Sequence, residues 1–270
     1  MLNPDCIHLL NLPVAAVTEP QLLQLLAARR DAGLGSWLIT PNLDILRQFH
    51  RSADIRALVA QADLIVADGM PLVWASRIAR TPLPERVPGS ALIWSLTTLA
   101  AQRNWPIYLL GGNPGTAARA ANVLQDRHTN LQIAGTFCPP MHFEQDPGQL
   151  AQICHDVRAA QPAVVFVALG FPKQEKVILE LRRLLPHAIL IGVGISFSFI
   201  TGEVKRAPAW LQRLGLEWLH RLAQEPRRLF TRYIVHDLPF FVFTLLPWAL
   251  RQRCKRIKPP STASAPATTT

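Results

Sequence analysis

The chain has 270 residues, 49% of them hydrophobic, which suits one sizeable α/β domain or one such domain with an appendage. Lys and Arg outnumber Asp and Glu by 28 to 18, and the formal charge of +10 favours an anionic partner: nucleic acid, nucleotide or acidic lipid. The four cysteines show no metal-ligand spacing and argue against a disulfide framework, which indicates a reducing compartment. The N-terminal segment lacks a basic region, so we expect no signal peptide.

Residues 18–194 alternate between strand-like and helix-like segments. Thr18 and Gln21 predict a capping box for a first helix that ends near Gly33. Six short apolar runs are predicted as strands, with helices between nearly all of them: 37–40, 63–67, 106–110, 131–136, 164–169 and 189–193. Strands that alternate with helices and are apolar on both faces predict a Rossmann-like, doubly wound α/β fold with a mostly parallel sheet.

Polar clusters follow several of these strands, at the edge where such folds bind ligands. They are Thr40-Pro41-Asn42, Asp68-Gly69, Gly111-Gly112-Asn113 and the segment 170–175. In the last cluster, Gly170 and Pro172 predict a turn from a strand into a helix. The sequence therefore predicts one crevice that these loops border together.

Two of these clusters suggest chemistry and also have simpler explanations. The Asp68 carboxylate could act as a general base toward an incoming hydroxyl, or it could cap the next helix. Gly111 and Gly112 precede a helix whose first N–H groups could hold a phosphate, although a tight turn explains the same pattern. The motif is neither GxGxxG nor a P-loop.

The remaining polar residues of the rim are candidates for substrate contacts. Thr40 and Asn42 offer a hydroxyl and an amide, and Asn42 could instead cap a helix. Gln174 could contact a sugar or a base, or it could be a solvated helix residue. The eight histidines show no i, i+4 pair, so we expect no His-based metal site.

The last fifth of the chain is basic. Lys205 and Arg206 stand beside a predicted turn, where they suit a diphosphate or form a solvated loop. Arg221, Arg228 and Arg232 have near-helical spacing, which predicts either a phosphate-facing stripe or a solvated face.

An apolar stretch, 238–250, precedes a basic segment, 251–258. It is shorter than the roughly 20 residues that span a bilayer, and Pro239 and Pro247 interrupt it. We therefore predict a basic, amphipathic helical appendage that binds an anionic membrane surface and does not bind nucleic acid. The expected organisation is a catalytic domain over 1–195, this appendage over 196–258 and a disordered tail over 259–270.

Seven motifs, in this order, resemble the WecG/TagA/CpsF glycosyltransferase family over residues 7–235. They are TPNLDIL (40–46), ADGMPLVWASR (67–77), ERVPGSAL (85–92), YLLGGNPGTAARAA (108–121), VALGFPKQE (167–175), IGVGISFSFITGEVKRAPAW (191–210) and GLEWLHRLAQEPRRL (215–229). Within the family, ISFSF and HRLAQEP are similar to the GumM-type branch, which adds glucose to a lipid-linked glucose in xanthan-like exopolysaccharide biosynthesis.

The resemblance implies an inverting transfer, here of glucose, from a UDP-sugar donor to a sugar on a polyprenyl diphosphate acceptor. The protein would bind peripherally at the cytoplasmic face of the inner membrane. The family's base corresponds to Asp68, its polar active-site residues to Thr40, Asn42 and Gln174, and its arginines for the lipid diphosphate to Arg221 and Arg228.

This chain departs from the family at two positions. A third family arginine falls at Thr231, with Arg232 one step later, and many members carry Asp where this chain has Ser198. Because we find no DxD-like signature, we predict that the transfer needs neither a metal nor another cofactor.

Three alternatives remain open on the sequence. One is an N-acetylmannosaminyl or related aminosugar transferase that acts on a lipid-linked GlcNAc. Another is a nicotinamide-dependent oxidoreductase, which the missing GxGxxG disfavours. The third is a non-catalytic membrane scaffold, which leaves the polar rim unexplained. A homo-oligomer also stays open.

Overall fold

The computed structural model describes residues 3–257. Its strands are β1 Cys6–Leu9, β2 Leu12–Ala15, β3 Ser36–Ile39, β4 Leu64–Ile65, β5 Ile107–Gly111, β6 Ile133–Phe137, β7 Val164–Ala168 and β8 Ile189–Gly192. β1 and β2 form a separate antiparallel hairpin, which the sequence analysis did not predict. The other six strands form one sheet in the order β4-β3-β8-β7-β5-β6, and all neighbouring pairs are parallel.

Helices cover both faces of this sheet. They are α1 Glu19–Asp31, α2 Leu43–Arg51, α3 Ala53–Val59, α4 Met70–Ile78, α5 Gly89–Gln102, α6 Thr116–Arg127, α7 Pro147–Ala159, α8 Lys173–Leu184, α9 Ser196–Ile200, α10 Ala209–Arg213 and α11 Glu217–Gln224, with a 3-10 turn at Phe143–Gln145. A last helix, α12, runs over 226–257 through the segments Pro226–Phe230, Thr231–Asp237, Leu238–Phe240, Phe241–Leu245 and Leu246–Ile257.

The sheet has one apolar core on each face. One core holds Trp37 and Phe240, and the other holds Leu92 and Phe166, all of them almost fully buried. Every residue of β5, β7 and β8 is buried, as expected for parallel strands between two helical layers. All six predicted strands of the sheet are present, so the doubly wound α/β fold is confirmed.

The first helix follows the predicted capping box. The Thr18 hydroxyl accepts from the Gln21 N–H at 3.4 Å, and the Gln21 side chain accepts from the Thr18 N–H at 2.9 Å. These bonds satisfy donors that the start of a helix leaves without partners. α1 ends at Asp31, and Gly33 follows with φ of +74°.

Gly111 is required where β5 turns into the rim of the sheet. Its φ is +107°, and an added Cβ would lie 2.5 Å from the Ala168 carbonyl oxygen. We expect Gly111→Ala to lower the free energy of unfolding by about 2–4 kcal/mol, because backbone strain adds to a clash with main chain. Gly33→Ala is the matched control: φ is also positive, but the added Cβ meets no described atom within 4 Å, so about 1 kcal/mol is expected. Equal losses for both variants in urea denaturation would contradict this explanation.

The predicted interruption of the C-terminal apolar stretch is wrong, because α12 continues through both prolines. Wide π-type turns, Thr231–Asp237 and Phe241–Leu245, precede Pro239 and Pro247. A proline lacks an N–H and clashes with the carbonyl four residues earlier, and a wider turn relieves both problems. Pro226–Lys255 is consequently long and apolar enough, by length and composition, to cross a membrane.

α12 presents different side chains to the protein and to solvent. Phe240, Leu245 and Ala249 are buried in the core that contains Trp37. Large apolar side chains are exposed on the remaining surface of the helix: Phe230, Val235, Leu238, Val242, Phe243 and Leu250. This confirms an amphipathic helical appendage. The boundary at residue 195 stays a prediction, and the predicted disordered tail, 259–270, lies outside the described residues.

Candidate active site

A cavity of about 1010 Å³ lies at the carboxyl ends of the strands, where α11 and α12 extend over the rim of the sheet. The cavity brings together eight of the predicted site residues: Thr40, Asn42, Asp68, Gly112, Gln174, Arg221, Arg228 and Arg232. The other three, Gly111, Lys205 and Arg206, are not among its lining residues. The basic C-terminal segment and Asp68 therefore face the same space.

Asp68 is available for chemistry because it does not cap a helix. The residue before α4 is Gly69, and the Asp68 main-chain N–H donates to the Pro41 carbonyl at 2.9 Å. Across residues 3–257 the carboxyl makes no hydrogen bond, and it is partly exposed to the cavity. The capping alternative is therefore wrong, and the carboxyl is free to contact a ligand.

Burial raises the pKa of Asp68 to about 6. Arg86 opposes this shift, Glu217 adds to it, and Arg206 and Arg221 also lower the pKa. Arg86 donates to Glu217 at 3.0 Å, and Arg206 lies 3.6 Å from the other oxygen of Glu217. Three cations surround two carboxyl groups, so the cluster keeps a positive charge and suits an additional anion.

Sequence reasoning missed Arg86 and Glu217. Both lie in motifs quoted above, but no local pattern separates them from surface charges. Their pairing joins residues 131 positions apart, and only the folding of α11 over the rim brings them together. A partly buried ion pair next to a carboxyl of raised pKa is a common feature of functional sites.

Arg221 is the arginine most available to a ligand. Its guanidinium lies 5.7 Å from the Phe199 ring centroid. Its Nε is buried and has no hydrogen-bond acceptor among the described residues. Arg206 and Arg232 share this buried Nε, but they contact carboxylates, whereas Arg221 forms no ion pair with the described residues. Its guanidinium therefore remains open to an anionic group in the cavity.

Arg228 and Arg232 line the cavity but already contact carboxylates. Arg228 lies 2.6 Å from Glu225, and Arg232 lies 3.2 Å from Asp44 and 3.9 Å from Asp237. Only these two residues of the predicted stripe share α12, because Arg221 lies on α11. An anionic ligand would have to compete with their acidic partners. Thr231 is exposed, and Arg232 is the residue that faces the cavity.

Lys205 and Arg206 have different positions. Lys205 is exposed, and the described contact at this residue is its carbonyl, which accepts from Gln224 at 2.9 Å. Arg206 is partly buried beside Glu217 and donates to the Ser90 carbonyl at 3.4 Å. Arg206 does not line the cavity but is close enough to affect the pKa of Asp68, whereas Lys205 lies outside the site.

Thr40 and Asn42 hold the edge of the cavity next to β3. The Asn42 side-chain oxygen accepts from the Ile45 N–H at 3.1 Å and caps α2, so the capping alternative is confirmed. Its amide nitrogen bonds to none of the residues 3–257 and is available for other contacts. The Thr40 hydroxyl lies against Gly89, where an added Cβ would approach it to 3.1 Å. Substrate contacts of both residues stay a prediction.

Gln174 is not a solvated helix residue, because it is only 5% exposed. Its Nε2 donates to Glu175 at 3.0 Å, and its Oε1 accepts from the Gly194 N–H at 3.1 Å. Glu175 is fully buried and also accepts from Trp37 at 2.9 Å, while burial raises its pKa to about 7. These bonds fix which end of the Gln174 amide faces each neighbour.

The geometry does not support the predicted phosphate role of Gly111 and Gly112. The Gly112 N–H already donates to the Ala168 carbonyl at 2.8 Å. A carboxylate, Glu203, occupies the start of α6, where it accepts from Thr116 at 2.7 Å, and from several other side chains. Those are Asn113 at 3.4 Å, Ser198 at 2.9 Å and Arg119.

These bonds, that from Thr116 above all, lower the pKa of Glu203 to about 2, so its charge persists at any ordinary pH. The anion site at the start of α6 is thus filled from within the chain. Ser198, which replaces the family's Asp, is one of the donors.

Within residues 3–257, no three His, Cys, Asp or Glu side chains come together as a metal ion would require.

A Rossmann-like sheet with a carboxyl of raised pKa among arginines defines an α/β protein whose cavity suits an anionic substrate. Comparison with known families makes the assignment. The chain matches the Glycosyl transferase WecG/TagA/CpsF family over residues 7–256, and it belongs to that family. The resemblance seen in the sequence is confirmed.

Two curated relatives carry the same description, N-acetylglucosaminyldiphosphoundecaprenol N-acetyl-beta-D-mannosaminyltransferase. The protein from Bacillus subtilis (strain 168) is 33% identical over 198 residues, which is 73% of this chain and 75% of the relative. The protein from Bacillus spizizenii (strain ATCC 23059 / NRRL B-14472 / W23) is 31% identical over the same shares. These relatives favour the aminosugar alternative and give no support to glucose transfer or the GumM-type branch.

Proposed function

We propose that the protein transfers N-acetylmannosamine from its UDP-activated form to a GlcNAc residue on polyprenyl diphosphate, with inversion at the anomeric carbon. The observation that carries this proposal is the Asp68 carboxyl, which faces the cavity among Arg86, Arg206 and Arg221. The family gives the reaction class, and the names of the relatives suggest the two sugars.

In the proposed reaction, Asp68 accepts the proton of the acceptor hydroxyl. The hydroxyl oxygen attacks the anomeric carbon on the face opposite UDP, and the bond to UDP breaks with its electron pair on the phosphate oxygen. With a pKa of about 6, Asp68 is mostly ionised at pH 7 and still basic enough to take a proton. The arginines stabilise the charge that develops on UDP.

We also propose that the protein acts at the cytoplasmic membrane face as a peripheral protein. α12 exposes Phe230, Val235, Phe243 and Leu250, which suits insertion into the interface. The opposite face of α12 packs against the α/β domain: Phe240 is buried in the core, and Asp237 accepts a hydrogen bond from Arg47 at 3.0 Å. A helix fixed to its domain in this way favours lying on the membrane over crossing it.

A donor screen tests the proposal. The full chain is incubated with GlcNAc-diphosphate-lipid or glucose-diphosphate-lipid and with UDP-N-acetylmannosamine, UDP-GlcNAc or UDP-glucose, and products are identified by mass spectrometry. We expect N-acetylmannosamine transfer to the GlcNAc lipid. Glucose transfer to the glucose lipid would replace the proposed substrates, and failure of all donors with both acceptors would contradict a transferase.

A further inference from the structure

The cavity changes from charged to apolar across its width. Asp68 and the arginines occupy one part, and the wall where α4 faces α12 is apolar. The side chains of this wall are Met70, Trp74, Phe171, Leu238 and Phe241. Trp74 and Phe241 stand edge to face across it, with ring centroids 6.5 Å apart. We call these five residues the apolar wall.

The order of charge and apolar surface along α12 matches an amphiphilic ligand. Arg228 and Arg232 come first, Asp237 follows and is paired with Arg47 and Arg232, and Leu238 and Phe241 come next on the same lining. Arg232 and Phe241 are nine residues apart, at most about 14 Å along the helix axis. A ligand with an anionic head next to a hydrocarbon tail could contact both parts at once.

Apart from Leu238, which is exposed and also lines the cavity, the apolar wall is distinct from the outer surface of α12. Phe243 is 78% exposed and is not a lining residue, whereas Phe241 lines the cavity and contacts Trp74. One helix therefore carries two apolar surfaces. The outer one is available to a bilayer, and the inner one is continuous with the arginines and with Asp68.

We propose that the apolar wall binds the first part of the prenyl chain of the acceptor lipid, with the diphosphate held by the adjacent arginines. This inference rests on the proposed function, because that function supplies an acceptor whose head and tail have this order. Charge complementarity selects the occupant: Arg221, Arg228 and Arg232 line the same cavity as the apolar wall, and a diphosphate next to the hydrocarbon suits them. The wall thus guides the acceptor sugar toward Asp68.

A binding experiment tests this without turnover. Calorimetry on the full chain compares farnesyl diphosphate with inorganic diphosphate and with a single-chain lysophospholipid. We expect the prenyl diphosphate to bind at least about tenfold more tightly than either of the others, because burial of an apolar side chain against a hydrocarbon is worth that much. Equal affinity for inorganic diphosphate would overturn the proposal. Equal affinity for the lysophospholipid would also overturn it, because the wall would then be a general site for acyl chains.

Substitutions on α12 test which side chains produce the tighter binding of farnesyl diphosphate. We expect Phe241→Ser to abolish the advantage of farnesyl diphosphate and to leave affinity for inorganic diphosphate unchanged. Leu238→Ser, at a position already 48% exposed, keeps the test valid if Phe241→Ser folds poorly. Phe243→Ser is the matched control on the same helix: it should weaken vesicle binding and retain the advantage. The apolar wall would be excluded as the prenyl site if farnesyl diphosphate still bound more tightly than inorganic diphosphate in both Phe241→Ser and Leu238→Ser. It would also be excluded if Phe243→Ser abolished this difference equally.

The transfer assay separates this proposal from the proposed function. With the wild-type chain, transfer to a long-chain acceptor tests the function alone. With Phe241→Ser, the KM of a long-chain acceptor should rise about tenfold, while the KM values of a short, water-soluble acceptor and of the donor stay unchanged. Equal increases for long and short acceptors would contradict a prenyl-binding wall, even in an active transferase.

Discussion

Asp68→Asn is expected to lower kcat by about 10²-fold or more, because loss of a general base removes an effect of this size. The variant should still bind UDP, since the arginines of the site are unchanged, and calorimetry checks this. Near-normal turnover by Asp68→Asn would remove this residue from the role of base.

The pH dependence gives a second measurement on the same residue. The base must be ionised, so wild-type kcat/KM is expected to fall as pH decreases through about 6. Asp68→Asn should lack this decline in its residual activity. A wild-type profile that stays flat from pH 8 to pH 5 would contradict a base with this pKa.

The same substitution is expected to stabilise the protein. The pKa of Asp68 is raised on folding, so the native state disfavours the carboxylate, and this destabilisation is fully present above about pH 6 and absent below about pH 4. Asp68→Asn should therefore raise the free energy of unfolding by on the order of 1–3 kcal/mol at pH 7 and leave it unchanged at pH 4. Urea denaturation at both pH values measures the difference.

Arg221→Gln is expected to have the second large effect, a loss of about 10²-fold in kcat/KM. Arg221 lines the cavity and forms no ion pair with the described residues, and loss of one such donor to an anionic group has a cost of this size. Arg227→Gln is the matched control, because Arg227 is exposed and is not a lining residue. Similar losses in both variants would indicate a general effect of positive charge.

The Arg221 variant also makes a directional prediction for Asp68. Arg221 lowers the pKa of this carboxyl, so its removal should move the acidic decline of kcat/KM toward higher pH. The shift can be measured on residual activity. A decline at an unchanged pH would show that the two side chains do not interact in the folded protein.

The sheet and part of the site were predictable because both leave local patterns. Strands buried on two faces are short apolar runs, and the loops after them meet at one rim, which is why Thr40, Asn42 and Asp68 were found together. The choice between a cap and a free side chain was not predictable. Asn42 caps α2, whereas Asp68 makes no such bond, and only the positions of the helix starts decide between them.

The remaining features depend on contacts between distant segments. Arg86 and Glu217 meet only in the folded protein, and Glu203 reaches the start of α6 from the loop after α9. The prolines of α12 were expected to interrupt the helix. Wide turns let the helix continue, and neither the length of the apolar stretch nor its prolines reveal such turns.

Glu203 has a consequence for compounds directed at this cavity. The Glu203 carboxylate, paired with Arg119, already occupies the donors of Asn113, Thr116 and Ser198 at the β5–α6 corner, so a phosphate would have to displace it there. The arginines at residues 221, 228 and 232 line the cavity elsewhere. Both pyrophosphates of a ternary complex would therefore crowd against the same arginines. An inhibitor that joins nucleotide and acceptor features should carry its acidic groups on that side and an uncharged hydrogen-bonding group toward the corner.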